Sequence, residues 1–352
     1  MSPTVQTVLG PVAADKLGRT LTHEHLSVNY ENFYKSPPSI FKSEIERTLS
    51  LDNIGLIKQY PYASHENIAF YGTEVDAAVA YDVSLFKMAG GGTIVENTTH
   101  GLKRQIKLME TISKNTGVNI IAGCGYYLES TQPGSVRNLS EEDMFNSMVT
   151  EMTQGSADYP SVKCGVIGEV ASDWPITDFE KRAIRATAQA QNYLRCPVTF
   201  HPGRSPEAPF EIMRLYLEAG GKAKRAIMSH LDRTLNEKQQ FLNFSELGSF
   251  CQLDLFGTEC SWYQLNPDCD MPSDAERVKI FSWLKDEGKL QQLLASHDIH
   301  TRHRLVKYGG HGYAHLLANV VPKMILRGFT SEEVDAITIE NPRAWLTGER
   351  DQ

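Results

Sequence analysis

Eight short apolar runs, each followed by a longer stretch of helical periodicity, limit the folds open to this chain more than any other feature. The runs occupy residues 20–26, 93–98, 118–127, 164–170, 197–201, 226–231, 250–256 and 293–298. Short apolar runs bounded by turn residues suit strands buried on both faces. A helix between consecutive strands makes neighbours parallel, joined by right-handed crossovers. Eight such units close most naturally into a (β/α)8 TIM barrel, and an open doubly wound sheet is the alternative. The fold class expected is therefore α/β.

The intervening helices carry their own start and stop signals. One is expected from Thr73 to the Gly90-Gly91-Gly92 run, and a second over 102–115 with its stop at Gly117. A third begins at Thr177 or Asp178, where a capping side chain can accept from the free N–H groups of the first turn. Others fit 206–219, 236–247, 274–289, 313–326 and 331–337. The segment 27–71, after the first strand, is too long and aromatic for a simple loop and is expected to form a cap or small helices beside the barrel mouth. Residues 254–273 make a second excursion after the seventh strand.

The 352 residues are compatible with one barrel domain spanning 1–352, because barrels often run well past 250 residues as one unit. A net charge of -8 argues against nucleic-acid or anionic-membrane partners, which call for clustered Lys and Arg. The expected partner is a small-molecule substrate, with a homodimer left open. No secretory pattern precedes the first strand and no run reaches 18 apolar residues, so a cytoplasmic, reduced setting is expected. Cys124, Cys164, Cys196, Cys251, Cys260 and Cys269 then read as free thiols, a Cys260–Cys269 bridge being left open.

The chemistry lies at the ends of the runs. In His23-Glu24-His25 the two imidazoles leave a strand on one face, a geometry suited to one metal. Glu169, His201, His230 and Asp298 each end a later apolar run. All six fall at the C-terminal ends of strands one, four, five, six and eight, where barrel active sites are assembled. Any one of these histidines alone is more often a hydrogen-bonded core residue. A buried, unpaired carboxylate costs several kcal/mol, so Glu169 and Asp298 demand a cation or strong donors. Imidazole and carboxylate ligands favour zinc, with manganese, cobalt or iron compatible. Six ligands exceed one open catalytic zinc, so two divalent ions bridged by Glu169 fit better.

The runs VQTVLG, GRTLTHEHL, VENTT, KCGVIGE, HPGR, MSHLDRT, SHDIHT and KYGGHGY resemble the phosphotriesterase family of the amidohydrolase superfamily, over essentially the whole chain. The resemblance implies a buried metal on His23, His25, Glu169 and Asp298, and an exposed one on His201, His230 and Glu169. It makes Asp298 the proton carrier and Tyr127 a catalytic and substrate-binding side chain beside the metals. Two departures count. The bridge is Glu169 where the name-giving enzymes have a carboxylated lysine. An Asp-Arg-Tyr-Gly run of related lactonases reads Asp254-Leu255-Phe256-Gly257 here. At finer grain the runs are similar to a branch assigned hydrolysis of N-acetyltaurine to taurine and acetate. That implies cleavage of a linear amide, the alternative being a lactone or phosphoester. A sulfonate asks for a cation, and Arg204 and Arg233, each three residues beyond a metal-binding His, are the expected substrate-binding residues. Lys307, Arg302, His303 and the Gly309-Gly310 backbone are the reserve candidates.

Overall fold

The computed structural model describes residues 3–349. Eight parallel strands form its centre: β1 Arg19–Glu24, β2 Gly91–Glu96, β3 Asn119–Cys124, β4 Val166–Ala171, β5 Val198–His201, β6 Ala226–Met228, β7 Phe250–Leu253 and β8 Leu293–Ala295. They hydrogen-bond in chain order from β1 to β8. The seam between β8 and β1 is closed largely by side chains. Ser296 Oγ lies 2.8 Å from both the His23 carbonyl and Glu24 Oε1 and shares its one proton between them, and the Asp298 N–H donates to the His23 carbonyl at 3.2 Å. Helices α1 Thr73–Met88, α2 Ile106–Thr116, α3 Glu141–Thr153, α4 Asp178–Leu194, α5 Ala208–Glu218, α6 Lys238–Ser245 and α7 Asp274–Asp286 follow the strands. The TIM-barrel architecture expected from the alternation is what the chain adopts.

An antiparallel hairpin, Thr4–Thr7 with Gly10–Ala13, lies at the N-terminal end of the barrel. Val5 and Leu17 join Ile121, Ile227, Phe250, Leu294 and Trp345 in a compact cluster there. The Trp345 indole N–H is within reach of the carbonyls of Val198 and Arg225, at 3.2 and 3.1 Å. With that end plugged, the opposite end is free to build a site. Over it lies the segment expected as a cap. Its two ends are tied by the short antiparallel pair Val28–Asn29 and Ala69–Phe70, and it carries the one-turn helices Lys42–Ile45 and His65–Ile68.

Several boundaries differ from expectation for physical reasons. Strands β6 and β8 stop at Met228 and Ala295 because His230 and Asp298 take left-handed backbone, φ 57° and 54°, which leaves a strand ladder. Gly91 and Gly92 begin β2 rather than end the preceding helix. A Cβ on Gly91 would run into the Phe86 ring, and one on Gly92 into the Leu17 carbonyl. The region 313–326 opens with a π-helical turn, Leu316–Val320. All six cysteines are free, so the Cys260–Cys269 bridge is not formed. Among the described residues no helix is long and apolar enough to cross a membrane.

Helix α3 was not expected at all. It starts from a Ser140–Asp143 capping box and buries Met144, Met148 and Glu151. Glu151 accepts from Arg104 Nη2 at 3.0 Å and Nη1 at 3.1 Å, and meets His100 Nε2 at 3.1 Å. Burial alone would raise its pKa, but His100 and Arg104 overcome this and lower it from 4.5 to about 2. The folded value lies below the unfolded one, so the carboxylate stabilises the fold above pH ~4.5 and loses that contribution as pH falls toward 2. A shift of this size corresponds to roughly 3 kcal/mol. The stability gap between wild type and Glu151→Gln, measured by urea denaturation, should be larger at pH 7 than at pH 3. A gap independent of pH would mean that the charge is not what Arg104 is holding.

Candidate metal centre

Five of the barrel strands hand one or two of these polar side chains to the open end. His23 and His25 leave β1, Glu169 sits within β4 and His201 ends β5. His230 and Asp298 lie just past β6 and β8, where left-handed backbone turns their side chains inward. The structure brings all six together. Glu169 Oε2 lies 2.8 Å from His201 Nδ1, 3.4 Å from His23 Nε2 and 3.5 Å from His230 Nε2. Glu169 Oε1 lies 3.5 Å from His25 Nε2, and Asp298 Oδ1 is 3.2 Å from the same nitrogen. Glu169 therefore touches both halves of the cluster.

Four buried atoms here have no hydrogen-bond partner: His23 Nε2, His25 Nε2, Glu169 Oε1 and Asp298 Oδ1. Orphaned buried polar atoms are rare, and four that converge form a donor set for a cation. The set of two imidazoles and two carboxylate oxygens suits a transition metal or zinc. Three carboxylates, Glu169, Asp254 and Asp298, surround His23. Burial alone would lower the pKa of His23, but those carboxylates raise it from 6.5 to about 9. The same field attracts a metal ion. Ligand atoms of His23, His25 and Asp298, and of His23, Glu169 and His230, lie close enough to share one ion.

Behind these side chains stands an orienting layer. His230 Nδ1 contacts Asp254 Oδ1 at 2.7 Å, and His23 Nδ1 lies 3.2 Å from Asp254 Oδ2. His25 Nδ1 contacts Thr98 Oγ1 at 2.9 Å, and Thr98 in turn donates to Glu96 Oε1 at 2.6 Å. Such partners fix the ring orientation and tautomer of a ligating histidine. Asp254 was read only as the start of a departed tetrapeptide. Its signal was present, since it is the one charged residue in the seventh apolar run and directly follows the last residue of β7, Leu253.

A pocket opens beside the cluster, lined by His201, His230 and Asp298 together with Tyr30, Tyr62 and Tyr263. Arg204, Arg233 and Arg304 also line it. Arg233 is 3 % exposed; its Nη2 meets His201 Nε2 and the Pro202 carbonyl, both at 3.1 Å. Arg204 Nε donates to the Tyr263 hydroxyl at 3.0 Å. Tyr127 is fully buried, its hydroxyl 3.0 Å from that of Tyr30 and 3.5 Å from both His201 ring nitrogens. Tyr30, rather than Tyr127, lines the pocket.

The sequence profile of the Phosphotriesterase family matches residues 3–346. The chain is 49% identical to the phosphotriesterase-related protein of Drosophila persimilis, over 97% of this chain and 98% of that one. The chain belongs to the phosphotriesterase family. It is a hydrolase of that family. Among solved structures, a resiniferatoxin-binding protein from Rhodobacter sphaeroides superposes with a TM-score of 0.93 at 27% identity, covering 99% of this chain and 96% of that one. The phosphotriesterase homology protein of Escherichia coli, solved with phosphate in its active site, superposes at 0.76 with 24% identity, covering 94% and 99%.

Within this phosphotriesterase-family site, the reserve candidates for holding an anion fall elsewhere. Lys307 pairs with Glu74 at 2.8 Å on the surface, and Arg302 pairs with Glu66 at 3.3 Å. The Gly309 and Gly310 N–H groups donate to the carbonyls of Val306 and Leu305. Gly310 instead lies against the backbone of Arg304, where any Cβ would collide. His303 lies outside this pocket, on the wall of a neighbouring cavity. A third arginine that lines the pocket, Arg304, carries no sequence signal of its own, because nothing local marks it from Arg302.

Proposed function

We propose that the protein is a binuclear-metal amidohydrolase that cleaves N-acyl amino sulfonates, N-acetyltaurine first among them. One observation carries the substrate class. Three arginines line the pocket, and none has a carboxylate partner among the described residues. A lactone or a phosphotriester is neutral and has no use for them, whereas an anionic leaving amine does. Leu255, where the related lactonases have arginine, also lines the pocket and weakens the lactone reading.

His23, His25, Glu169 and Asp298 would hold one divalent ion, and His201, His230 and Glu169 the second, with zinc the expected metal. Two such ions supply Lewis acidity, lowering the pKa of water and polarising the scissile carbonyl. Asp298 accepts the proton of the attacking water and delivers it to the departing amine nitrogen, which leaves poorly unless protonated. His300 Nδ1 hydrogen-bonds the Asp298 carbonyl at 2.7 Å and lies 3.1 Å from its Oδ1, holding the backbone that aims that carboxylate. Burial pushes the Tyr30 and Tyr127 hydroxyls well above their ordinary range. Both stay protonated, and Tyr30, which lines the pocket, serves as donor to the carbonyl oxygen with Tyr127 hydrogen-bonded behind it. Arg204 and Arg233 complete the cationic side of the pocket.

The test is a steady-state comparison of the zinc- or manganese-loaded protein on N-acetyltaurine, a lactone panel, a phosphotriester and a phosphate monoester. N-Acetyltaurine should give the highest kcat/KM and release free amine. A lactone or phosphoester turned over faster would overturn the reading.

A further inference from the structure

Arg304 is 4 % exposed, and its charge has no carboxylate partner among the described residues. Its Nη1 donates to the Asp298 carbonyl at 2.6 Å, while its Nε has no partner at all. The other two arginines of the pocket are held differently. Arg233 has Nη2 on His201 and Pro202 and Nη1 on Thr234, so it orients a candidate metal ligand. Arg204 has its Nε on Tyr263 and its guanidinium over that ring, 5.7 Å from the centroid. A buried guanidinium without a counter-charge is costly, and of the three Arg304 is the one with a fully buried nitrogen left without a partner.

Arg304 also stands where two cavities meet. A second one shares Pro61, Thr258, Cys260 and Arg304 with the catalytic pocket and is further lined by Lys58 and His311. Thr258 Oγ1 is buried there without a partner, as is Arg304 Nε. The acidic side chain on this wall, Glu259, accepts from the Asp274 N–H at 2.9 Å. The placement of Arg304 is enforced by its neighbours. The Gly312 N–H donates to the Arg304 carbonyl at 2.9 Å, and Gly310 allows the close approach of the two backbones.

The geometry points to Arg304 and Thr258 as the seat of the substrate's oxyanion. A sulfonate or carboxylate carried by the leaving amine sits at the junction of the two cavities, bound by the Arg304 guanidinium and the Thr258 hydroxyl, with Lys58 at the outer rim. This rests on the amide-hydrolase reading, and it replaces Arg204 and Arg233 as the principal anion contacts. Both would then shape the pocket without carrying most of the charge recognition.

The experiment compares N-acetyltaurine, N-acetyl-β-alanine and the uncharged N-acetylpropylamine on wild type, Arg304→Met, Arg304→Lys and Thr258→Val. Binding of ethanesulfonate, which has no amide, is measured in parallel by calorimetry on the metal-loaded protein. Arg304→Met should lower kcat/KM on the anionic amides about 10- to 150-fold more than on the neutral one, and weaken ethanesulfonate by a similar factor. Arg304→Lys should restore part of both, and Thr258→Val should show a smaller loss in the same direction. Preference for one anionic amide tells sulfonate from carboxylate. An unchanged ratio of anionic to neutral substrate, with ethanesulfonate binding intact, overturns the inference. If no amide is hydrolysed but ethanesulfonate still binds through Arg304, the amide reading fails and the anion seat stands.

Discussion

Asp298→Asn should lower kcat on N-acetyltaurine by about 100-fold or more, the scale of general acid–base catalysis, while both metal ions remain bound. The substitution is unusually clean at this position. Asp298 has φ 54°, a left-handed conformation that Asn adopts more readily than most residues. The backbone that aims the side chain is therefore kept. Asn also keeps an oxygen where Asp298 Oδ1 now faces His25 Nε2 at 3.2 Å. What it lacks is the ability to take a proton. Metal content by elemental analysis and the pH dependence of kcat are the accompanying measurements. Near-normal turnover with two ions bound would mean that another group moves the proton, and His300, which touches Asp298, would be the first to test.

The six converging side chains were legible because two independent periodicities point to the same place. Apolar runs of strand length give the barrel, and a polar residue that breaks each run at its C-terminal end gives the mouth. Glu169 shows how strong this signal is, since a carboxylate within VIGEVA has no bland explanation in a strand buried at every position. The reading weakened wherever contacts join segments distant in sequence. Arg304 gains its meaning from Gly310, Thr258 and Asp298, which no local pattern connects. Tyr30 and Tyr62 come from the long segment after β1, whose fold depends on docking over the mouth rather than on its own propensities.

Helix α3 was missed for a different reason. Its buried face consists of Met144, Met148 and Glu151, an apolar stripe only two residues deep that closes with a carboxylate. Tertiary pairing to Arg104 fills the position that an apolar residue would hold in a more obvious helix. The Ser140–Asp143 capping box was the available signal, and the thin stripe hid it. The strand ends at β6 and β8 were overestimated because the left-handed turns at His230 and Asp298 leave no mark in hydrophobicity.

Glu24→Gln should destabilise the fold by about 2–5 kcal/mol and take most of the activity with it. In the sequence Glu24 is only the spacer between two histidines. Alternation sends it to the other face of β1, into the seam that closes the barrel. There its Oε1 accepts from Ser296 Oγ and the His297 N–H, both at 2.8 Å, and meets His297 Nδ1 at 2.8 Å. Its Oε2 accepts from the Ile299 N–H at 3.0 Å. Glu24 is fully buried, so water cannot replace a lost acceptor. A glutamine can satisfy one side only; its amide N–H₂ must then face either the Ile299 N–H or the three donors at Ser296 and His297. Asp298 lies between those two anchor points in the chain, and its own N–H bonds the His23 carbonyl across the same seam. Loosening the anchors shifts a side chain whose productive geometry tolerates little displacement. Urea denaturation of wild type and variant, with kcat measured under folded conditions, separates the two effects. A Glu24→Gln protein within about 0.5 kcal/mol of wild type, the range of an inert surface change, would show that the seam is held by the backbone and Ser296 alone.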